Sequence, residues 1–394
     1  MANDALPRPP RRIPAGAGSL TQLETPSRVP GGSGPPPRRP WIFGRFLAGL
    51  VVLLVVVAAG GGAGWYFRQR SVQIDTAAVL KSAGPAVVRV LATTCAGSGE
   101  ASGVLIDNGR ILTAASAVDQ PKSIVVVAPD GRMRRANLLG TSADGVAVLQ
   151  SIGFDGPPLH LAAADPDSHA ERALIGYTAA GKQVVNEIGS TADPKALSQF
   201  MNAGKLGGPV VGKSGELVGL VTGATVPAAA VVPLGKLREY VAPAPSGITV
   251  ATAGTCPESR GPQGGIAPLL QVAGTPLALE VRSLLANYLT LENKHEFDKV
   301  QDVYSPRLAQ SLTPARDRTG HATAYFFNPR ITDLAPDGSY ARMAYNVLFA
   351  GTAKGAAGGV CNRLDARIDL VRAAGKLVID KISWATPPVA CDTD

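Results

Sequence analysis

Short runs of β-branched and aliphatic residues fill the chain from residue 74 to about 241, and this pattern limits the possible fold more than any other feature. Representative runs lie at 86–91, 103–106, 123–127 and 146–149. Turn-forming sequences bound them, such as Asp107-Asn108-Gly109 and Pro129-Asp130-Gly131. Because this region shows neither long helices nor strands alternating with helices, it predicts an all-β sandwich or barrel and not a doubly wound sheet.

Five motifs follow one another in this region. In chain order they are 102–118 (SGVLIDNGRILTAASAV), 140–149 (GTSADGVAVL), 204–211 (GKLGGPVV), 215–222 (GELVGLVT) and 229–237 (AAVVPLGKL). The glycines of the third motif permit tight turns, in which two backbone N–H groups can point at a carbonyl oxygen that becomes negative. Taken alone, this motif also fits an ordinary turn that enters a strand, so its weight depends on the motifs around it.

Together the five motifs resemble those of trypsin-like serine proteases, especially of the high-temperature-requirement branch. In that family the histidine follows a TAA sequence, the aspartate precedes an apolar strand, and the nucleophile lies in GDSGGP or GNSGGP. The resemblance implies an all-β double β-barrel of trypsin-like type. It places the three catalytic positions at Ser116, Gly145 and Leu206. A PDZ module, usual after the protease domain in this branch, is not visible in the sequence.

Each of these three positions holds a residue that cannot perform its role. Ser116 cannot act as a base near neutral pH, Gly145 cannot orient a histidine, and Leu206 has no nucleophilic atom. Loss of the nucleophile alone costs on the order of a million-fold in such enzymes. The resemblance therefore implies a degenerate member of the family, which retains an oxyanion loop at the backbone N–H groups of Gly204 and Leu206 and a strand edge that could hold an extended peptide.

Other residues offer weak substitutes for the missing groups. Asp144 precedes Gly145, but a shift of one residue in a strand turns its side chain to the opposite face. His160 and His169 lie in the connection between the two expected barrels and are interpreted as surface residues, and Ser214 lies in a Lys-Ser-Gly turn. The sequence thus predicts no catalytic residue, no cofactor and no metal site.

The N-terminal part has a different composition. Residues 1–40 are rich in Pro, Gly and Arg, which predicts a disordered cytoplasmic tail. Residues 46–67 carry no charge and are long enough for a helix to span a bilayer, so a transmembrane helix is predicted over 41–67, with Arg45 and other basic residues on the cytoplasmic side. A cleaved signal peptide is the alternative, but the run is longer than a usual signal sequence and follows a long tail.

The net charge of +8 does not indicate nucleic-acid binding. Seven arginines against two acidic residues account for +5 of it within residues 1–45, and from Arg68 onward 31 basic residues face 28 acidic ones. A nearly balanced remainder offers no basic surface for a nucleic acid.

All four cysteines follow the predicted span, at Cys95, Cys256, Cys361 and Cys391. An even number in an oxidising compartment indicates two disulfides, and the wide spacing, with no histidine nearby, argues against a zinc site. Three pairings are possible from sequence alone. We expect Cys95 to pair with Cys256 and Cys361 with Cys391.

The remaining chain predicts a separate small α+β domain. Residues 244–265 read as a linker, and in 266–394 helical spacing over 276–312 is followed by four strand-like runs. This order resembles the nuclear transport factor two-like fold, in which a sheet wraps a helix and often forms a pocket. Tyr325, Tyr345, Asp369 and Trp384 are candidates to line it, although aromatic residues at strand spacing are also typical of a plain core.

The predicted fold class is therefore multi-domain, with one transmembrane helix, a trypsin-like double barrel over 72–243 and an α+β domain. The predicted function is that of a membrane-anchored extracytoplasmic pseudoprotease, which binds a protein or peptide ligand in the cell envelope. The Ala, Gly, Pro, Val and Arg bias is typical of a high-GC bacterium. The alternatives are an envelope serine hydrolase with a non-standard catalytic constellation and a structural envelope component that binds a small molecule. The oligomeric state is left open.

Overall fold

The computed structural model describes residues 73–392 except 108, 152, 155, 168, 190–202, 224–230, 244, 355 and 357–358. Three β-sheets organise this part of the chain. The strands, in chain order, are β1 (Val87–Thr94), β2 (Glu100–Asp107), β3 (Arg110–Ala114), β4 (Pro121–Val127), β5 (Met133–Ser142), β6 (Val146–Ser151), β7 (Arg172–Tyr177), β8 (Gln183–Gly189), β9 (Pro209–Val211), β10 (Leu217–Val221), β11 (Val231–Pro233), β12 (Ile248–Val250), β13 (Leu269–Leu270), β14 (Tyr325–Leu334), β15 (Tyr340–Leu348), β16 (Cys361–Ala373), β17 (Lys376–Trp384) and β18 (Val389–Ala390).

The helices are short, with one exception. They are α1 (Thr76–Ala83), α2 (Leu234–Val241), α3 (Pro276–Asn293), α4 (Phe297–Val300), α5 (Pro306–Ser311) and α6 (Pro314–His321). In α3, the Thr275 side chain accepts a hydrogen bond from the backbone N–H of Ala278 and Pro276 occupies the first turn, which is a favourable helix start. The buried residues of this helix recur at intervals of three and four, as an amphipathic helix requires.

The first sheet closes into a six-stranded barrel. Its strands pair in the order β5-β4-β1-β2-β3-β6, β5 pairs again with β6, and β12 adds to the edge of β5. All pairs are antiparallel, with Val104 opposite Val87 and Leu112 opposite Val104. The strands predicted at 86–91, 103–106, 123–127 and 146–149 all lie in this barrel, so the all-β prediction for this region is confirmed.

The second sheet contains five strands in the order β11-β10-β9-β7-β8. One apolar cluster joins it to the first barrel, because Val104 and Leu112 of the barrel pack with Ile175 and Leu220 of this sheet. The two sheets therefore share a core, and the turns between their strands meet along this contact.

The third sheet belongs to the C-terminal part and has the order β13-β14-β15-β16-β17, with β18 paired to β16. Helix α3 packs on it through Val281, Leu285 and Leu289. The predicted order of helices first and four main strands afterwards is confirmed. The resemblance of this part to the nuclear transport factor two-like fold, and the predicted domain boundaries, stay predictions.

The described residues, from 73 onward, all belong to one compact unit, in which the C-terminal sheet packs directly on the first barrel. Leu91 and Val125 of the barrel share an apolar cluster with Tyr325, Phe327 and Leu348. A buried ion pair adds to this contact: Arg89 Nη2 lies 2.6 Å from Glu100 Oε1, with both side chains no more than 5% exposed. Arg89 also donates to the Ala179 carbonyl and to Asn328 Oδ1, so one side chain links both barrel sheets to the C-terminal sheet.

The predicted fold class is wrong in its transmembrane helix. In the described part of the chain, no helix is long and apolar enough to cross a membrane. The physical reason is visible in α3, which has 18 residues but carries Glu280, Arg282 and Glu292 among its apolar ones. The stretch 41–67, to which the prediction referred, and the tail 1–40 lie outside the described residues.

Candidate functional site

The first two expected catalytic positions lie side by side. Ser116 is exposed in the single turn of 3-10 helix that follows β3, and its carbonyl accepts from the backbone N–H of Ser98 at 3.0 Å. The backbone N–H of the preceding residue, Ala115, donates to the Gly145 carbonyl at 2.8 Å. The fold thus brings together, through their backbones, the two positions that the resemblance assigns to the histidine and the aspartate.

Gly145 has a backbone conformation that suits glycine and disfavours aspartate. Its φ is +80°, a left-handed value that costs most other residues energy. A Cβ atom here would lie 3.3 Å from the Cβ of Thr222, a tight contact. An aspartate introduced at this position would therefore need a changed backbone before it could orient a base.

The Gly-rich loop lies next to the same place. The backbone N–H of Gly207 donates to the Val221 carbonyl at 2.7 Å, and the Val221 N–H donates back to the Gly208 carbonyl at 3.1 Å. Gly207 has a φ of +72°, and a Cβ on it would meet the Ser102 carbonyl oxygen at 2.3 Å. Val221 directly precedes Thr222, the residue that lies next to Gly145. The Gly-rich loop, Gly145 and Ser116 therefore surround one region between the two sheets.

Ser102 holds this loop in position. Its backbone N–H donates to the Leu206 carbonyl at 2.7 Å, and its hydroxyl donates to the Gly204 carbonyl at 2.5 Å. The same hydroxyl accepts from the backbone N–H of Tyr177 at 3.0 Å, while Thr113 Oγ1 donates to the Ser102 carbonyl at 2.6 Å. These four buried bonds tie the loop to β2, β3 and β7, and sequence reasoning missed this role.

Leu206 is buried where a nucleophile would have to be accessible. Its residue is 7% exposed, and it belongs to the apolar cluster of the first barrel together with Ala114 and Ala117, which flank Ser116 by two residues and one. A leucine in this cluster is stabilised by removal of its apolar surface from water. The expected nucleophile position therefore serves as packing between the barrel and the loop.

The neighbouring Lys205 was not singled out by the sequence pattern. Its Nζ donates to Asn186 Oδ1 at 2.7 Å, and burial lowers the pKa of this amine. A lysine with a lowered pKa can act as a base toward a serine. The Ser102 hydroxyl nearby already donates its proton to the Gly204 carbonyl, so the structure does not pair these two side chains.

The other candidate substitutes lie away from the site or have other partners. The Asp144 carboxylate accepts a hydrogen bond from the Tyr240 hydroxyl of α2, and this bond raises the pKa of Tyr240 further after burial has raised it. His160 and His169 are both exposed, and the described serine hydroxyls make no hydrogen bond to a histidine. Asp144 is thus held toward α2 and not toward Ser116.

Both predicted disulfides are present. Cys95, which follows β1, is joined to Cys256 in the segment after β12, with Cα atoms 5.8 Å apart. Cys361 at the start of β16 is joined to Cys391, with Cα atoms 5.3 Å apart. The first bond connects the barrel to the predicted linker and the second closes the end of the C-terminal sheet.

The candidate pocket residues of the C-terminal domain divide into two groups. Tyr345 and Trp384 line a cavity of about 770 Å³. Tyr325 instead packs against the barrel, and the Asp369 carboxylate accepts from Arg367 Nε at 2.8 Å outside this cavity. Half of the prediction is therefore correct, and the error arose because strand spacing alone does not say which face of a sheet meets a neighbouring domain.

A buried acid and histidine cluster next to this cavity was missed as well. It consists of Glu292 on α3 with Asp317 and His321 on α6, and their ligand atoms lie within 4.8 Å of one another. The spacing of Asp317 and His321, four residues apart on a helix, was the available signal. Glu292 comes from another helix, so no sequence pattern connects it to them.

A closed six-stranded barrel joined to a second antiparallel sheet, with the Gly-rich loop between them, is consistent with the trypsin-like fold expected from the motifs. Residues 101–220 match the family model described as trypsin-like peptidase domain.

Solved structures with a similar fold include two forms of the Mycobacterium tuberculosis protease Rv3671c. The active form has 22% identity over 45% of this chain and 88% of that chain, with a TM-score of 0.37. The inactive form has 20% identity over 41% and 89%, with a TM-score of 0.34. The serine endoprotease from Yersinia pestis has 23% identity over 46% and 76%, with a TM-score of 0.38. No curated protein matches the chain significantly.

Proposed function

We propose that the trypsin-like domain does not hydrolyse peptide bonds and acts as a binding or regulatory module. The observation that carries this proposal is the burial of Leu206 in the barrel core at the nucleophile position. Attack on a carbonyl needs an accessible oxygen or sulfur atom with a base beside it. Here the position supplies an aliphatic side chain that shares an apolar cluster with Ala114 and Ala117.

The two other positions support the same proposal. Among the described residues, no side chain is hydrogen-bonded to the Ser116 hydroxyl in a way that would let it act as a base. Gly145 adopts a backbone conformation that is unfavourable to aspartate. Three independent changes at one site would each have to be compensated before the ordinary mechanism could operate.

The features that remain suit binding of an extended peptide. Four buried hydrogen bonds of Ser102 keep the Gly-rich loop rigid. Among the described residues, strands β8 and β11 are the two edges of the second sheet, and an edge strand offers backbone groups to which a peptide can add as a further strand. We therefore propose a peptide or an extended protein segment as the ligand class. Nucleic acid is not proposed, because the charge of this part of the chain is nearly balanced.

The two disulfides support an oxidising, extracytoplasmic location, since such bonds rarely persist in a reducing cytosol. The extracytoplasmic location is therefore part of the proposal. The proposed binding or regulatory role needs no cofactor.

The test is treatment of the purified full chain with a fluorophosphonate probe, followed by incubation with casein and with peptide libraries. We expect no labelled serine and no cleaved bond, while trypsin at the same concentration is labelled and cuts. Labelling that disappears on one serine substitution, for example Ser116→Ala, would overturn the proposal and favour the alternative of a hydrolase with a non-standard constellation. The Ser214→Ala variant, in an exposed turn, is the matched control.

A further inference from the structure

The cavity of about 770 Å³ in the C-terminal domain has the size of a small-molecule site. It lies between helices α3 and α6 and strands β14 to β17. Its wall is largely apolar and includes the aromatic side chains of Tyr288, Phe326, Tyr345, Phe349 and Trp384. An apolar body can therefore be enclosed there with most of its surface removed from water.

The charged side chains that line this cavity are all basic. They are Arg135, His321 and Lys354, and none of the described lining residues is an aspartate or glutamate. Arg135 comes from β5 of the first barrel, and its Nε lies 3.3 Å from Oδ2 of the fully buried Asp392. The Asp392 carboxylate is thus not among the residues that line the cavity, and it holds the Arg135 guanidinium in position on the cavity wall.

His321 shows the same arrangement more strongly. Its Nδ1 lies 2.8 Å from Asp317 Oδ1 and 3.3 Å from Glu292 Oε2, and both carboxylates are fully buried. The imidazole is 31% exposed, and its edge packs on the Phe326 ring. No described residue accepts a hydrogen bond from its Nε2, so this atom is available to an occupant of the cavity.

The two carboxylates also keep His321 protonated. Burial lowers the pKa of the imidazole, but the hydrogen bonds and charges of Asp317 and Glu292 outweigh it and raise the pKa to about 10. At neutral pH the ring is therefore an imidazolium with a spare N–H donor. The Tyr304 hydroxyl lies 3.3 Å from Asp317 Oδ2 and 3.4 Å from Glu292 Oε1, and its single proton is available to either carboxylate.

We propose that this cavity binds a small amphipathic anion, with a carboxylate or similar oxyanion hydrogen-bonded to His321 Nε2 and an apolar body against the aromatic wall. A cationic ligand would find no carboxylate among the described lining residues, and a neutral apolar ligand would leave the Nε2–H donor without a partner. Arg135 adds a second positive charge for the same anionic group or for a second polar substituent. The proposal is independent of the function proposed for the trypsin-like domain.

A divalent cation between Glu292, Asp317 and His321 is the competing occupant of this region. It would need Nδ1 as a ligand, and this atom is at hydrogen-bond distance from Asp317. The Asp317 and Glu292 carboxylates already interact with the His321 imidazolium and lie within hydrogen-bond distance of the Tyr304 hydroxyl. These contacts favour a proton on Nδ1 over a metal ion, and the experiment includes the metal as an outcome.

The experiment compares three probes that share one apolar body and differ in charge: 2-naphthoate, 2-naphthalenemethanol and 2-naphthylmethylammonium. Each is titrated into the full chain at pH 7 by isothermal titration calorimetry. We expect the anion to bind at least about tenfold more tightly than the alcohol, and the cation to bind most weakly. In H321Q we expect the affinity for the anion to fall about tenfold, with the affinity for the alcohol changed less than about twofold.

Retained binding of the alcohol shows that a variant has kept its fold. R135Q tests the second cation, which lines the cavity from β5 and is not part of the Glu292, Asp317 and His321 cluster. H169Q removes an exposed histidine far from the cavity in sequence and should change nothing. Equal affinities for the three probes would overturn the proposal, as would the absence of any binding at about 1 mM. Stoichiometric binding of Zn²⁺ or Mn²⁺ that is lost in H321Q, without binding of naphthoate, would also overturn it and identify a metal site.

Discussion

Replacement of Leu206 by alanine separates a packing residue from a vestigial active-site residue. An active-site serine lies at a solvent-accessible surface, and changing such a residue usually costs little stability. Leu206 is 7% exposed and packs in the first barrel. Truncation to alanine removes three carbon atoms from an apolar contact at about 0.8 kcal/mol per buried methylene, which is about 2.4 kcal/mol before any cavity cost. With a cavity that closes only partly, we expect a loss of about 2 to 4 kcal/mol.

The assay is equilibrium unfolding of the full chain in urea, followed by the near-UV signal of the folded core and analysed at a common slope. Leu139→Ala is the matched control, because Leu139 lies in the same barrel, on β5, but is 44% exposed. We expect this control to cost no more than about 0.5 kcal/mol.

A loss below about 0.5 kcal/mol for Leu206→Ala, equal to that of the control, would refute the packing argument and with it the main support for the proposed function. Leu206→Ser extends the test. It should destabilise the chain at least as much as alanine, because it also buries a hydroxyl, and it should gain no hydrolytic activity.

Three further predictions follow from other contacts. Glu100→Gln should cost about 3 to 5 kcal/mol in urea unfolding, because it leaves the Arg89 guanidinium buried without its counter-ion, whereas an apolar replacement of both residues should recover most of the loss. Removal of the Cys95–Cys256 disulfide, by Cys95→Ser with Cys256→Ser, should cost about 2 to 5 kcal/mol and lower the melting temperature, and reduction should then have less effect on the variant than on the parent. Raising the pH from about 6.5 toward 10 should destabilise the chain by up to about 1.4 kcal/mol per pH unit, because folded His321 keeps a proton that the unfolded chain releases near pH 6.5, and H321Q should flatten this dependence.

Local composition predicted most of the strands correctly. The runs at 86–91 and 146–149 are short stretches of β-branched and aliphatic residues bounded by turns, which is typical of buried strands, and neighbouring residues alone determine these properties. The tight turn expected from the glycines of the 204–211 motif is present, since Gly207 has a left-handed backbone. The order of the motifs was enough to predict a trypsin-like domain, which the match over 101–220 supports.

Contacts between distant segments could not be predicted in the same way. The role of Ser102 depends on two carbonyl groups about a hundred residues away, and that of Arg89 depends on partners in three sheets. Tyr345 and Trp384 line the cavity, whereas Tyr325 packs against the first barrel. This difference depends on which face of the C-terminal sheet meets the barrel. A pattern of neighbouring residues carries no information about such partners.

The sequence by itself determined the β-rich class and the order of the trypsin-like motifs, because residue identity and local spacing decide both. Only the tertiary structure decided that Leu206 is a core residue and that Glu292 and Asp317 hold the His321 imidazole at the wall of an apolar cavity. The physical reason is that burial and the protonation of an imidazole depend on atoms brought together from separate elements, and their energies exist only when the chain is folded.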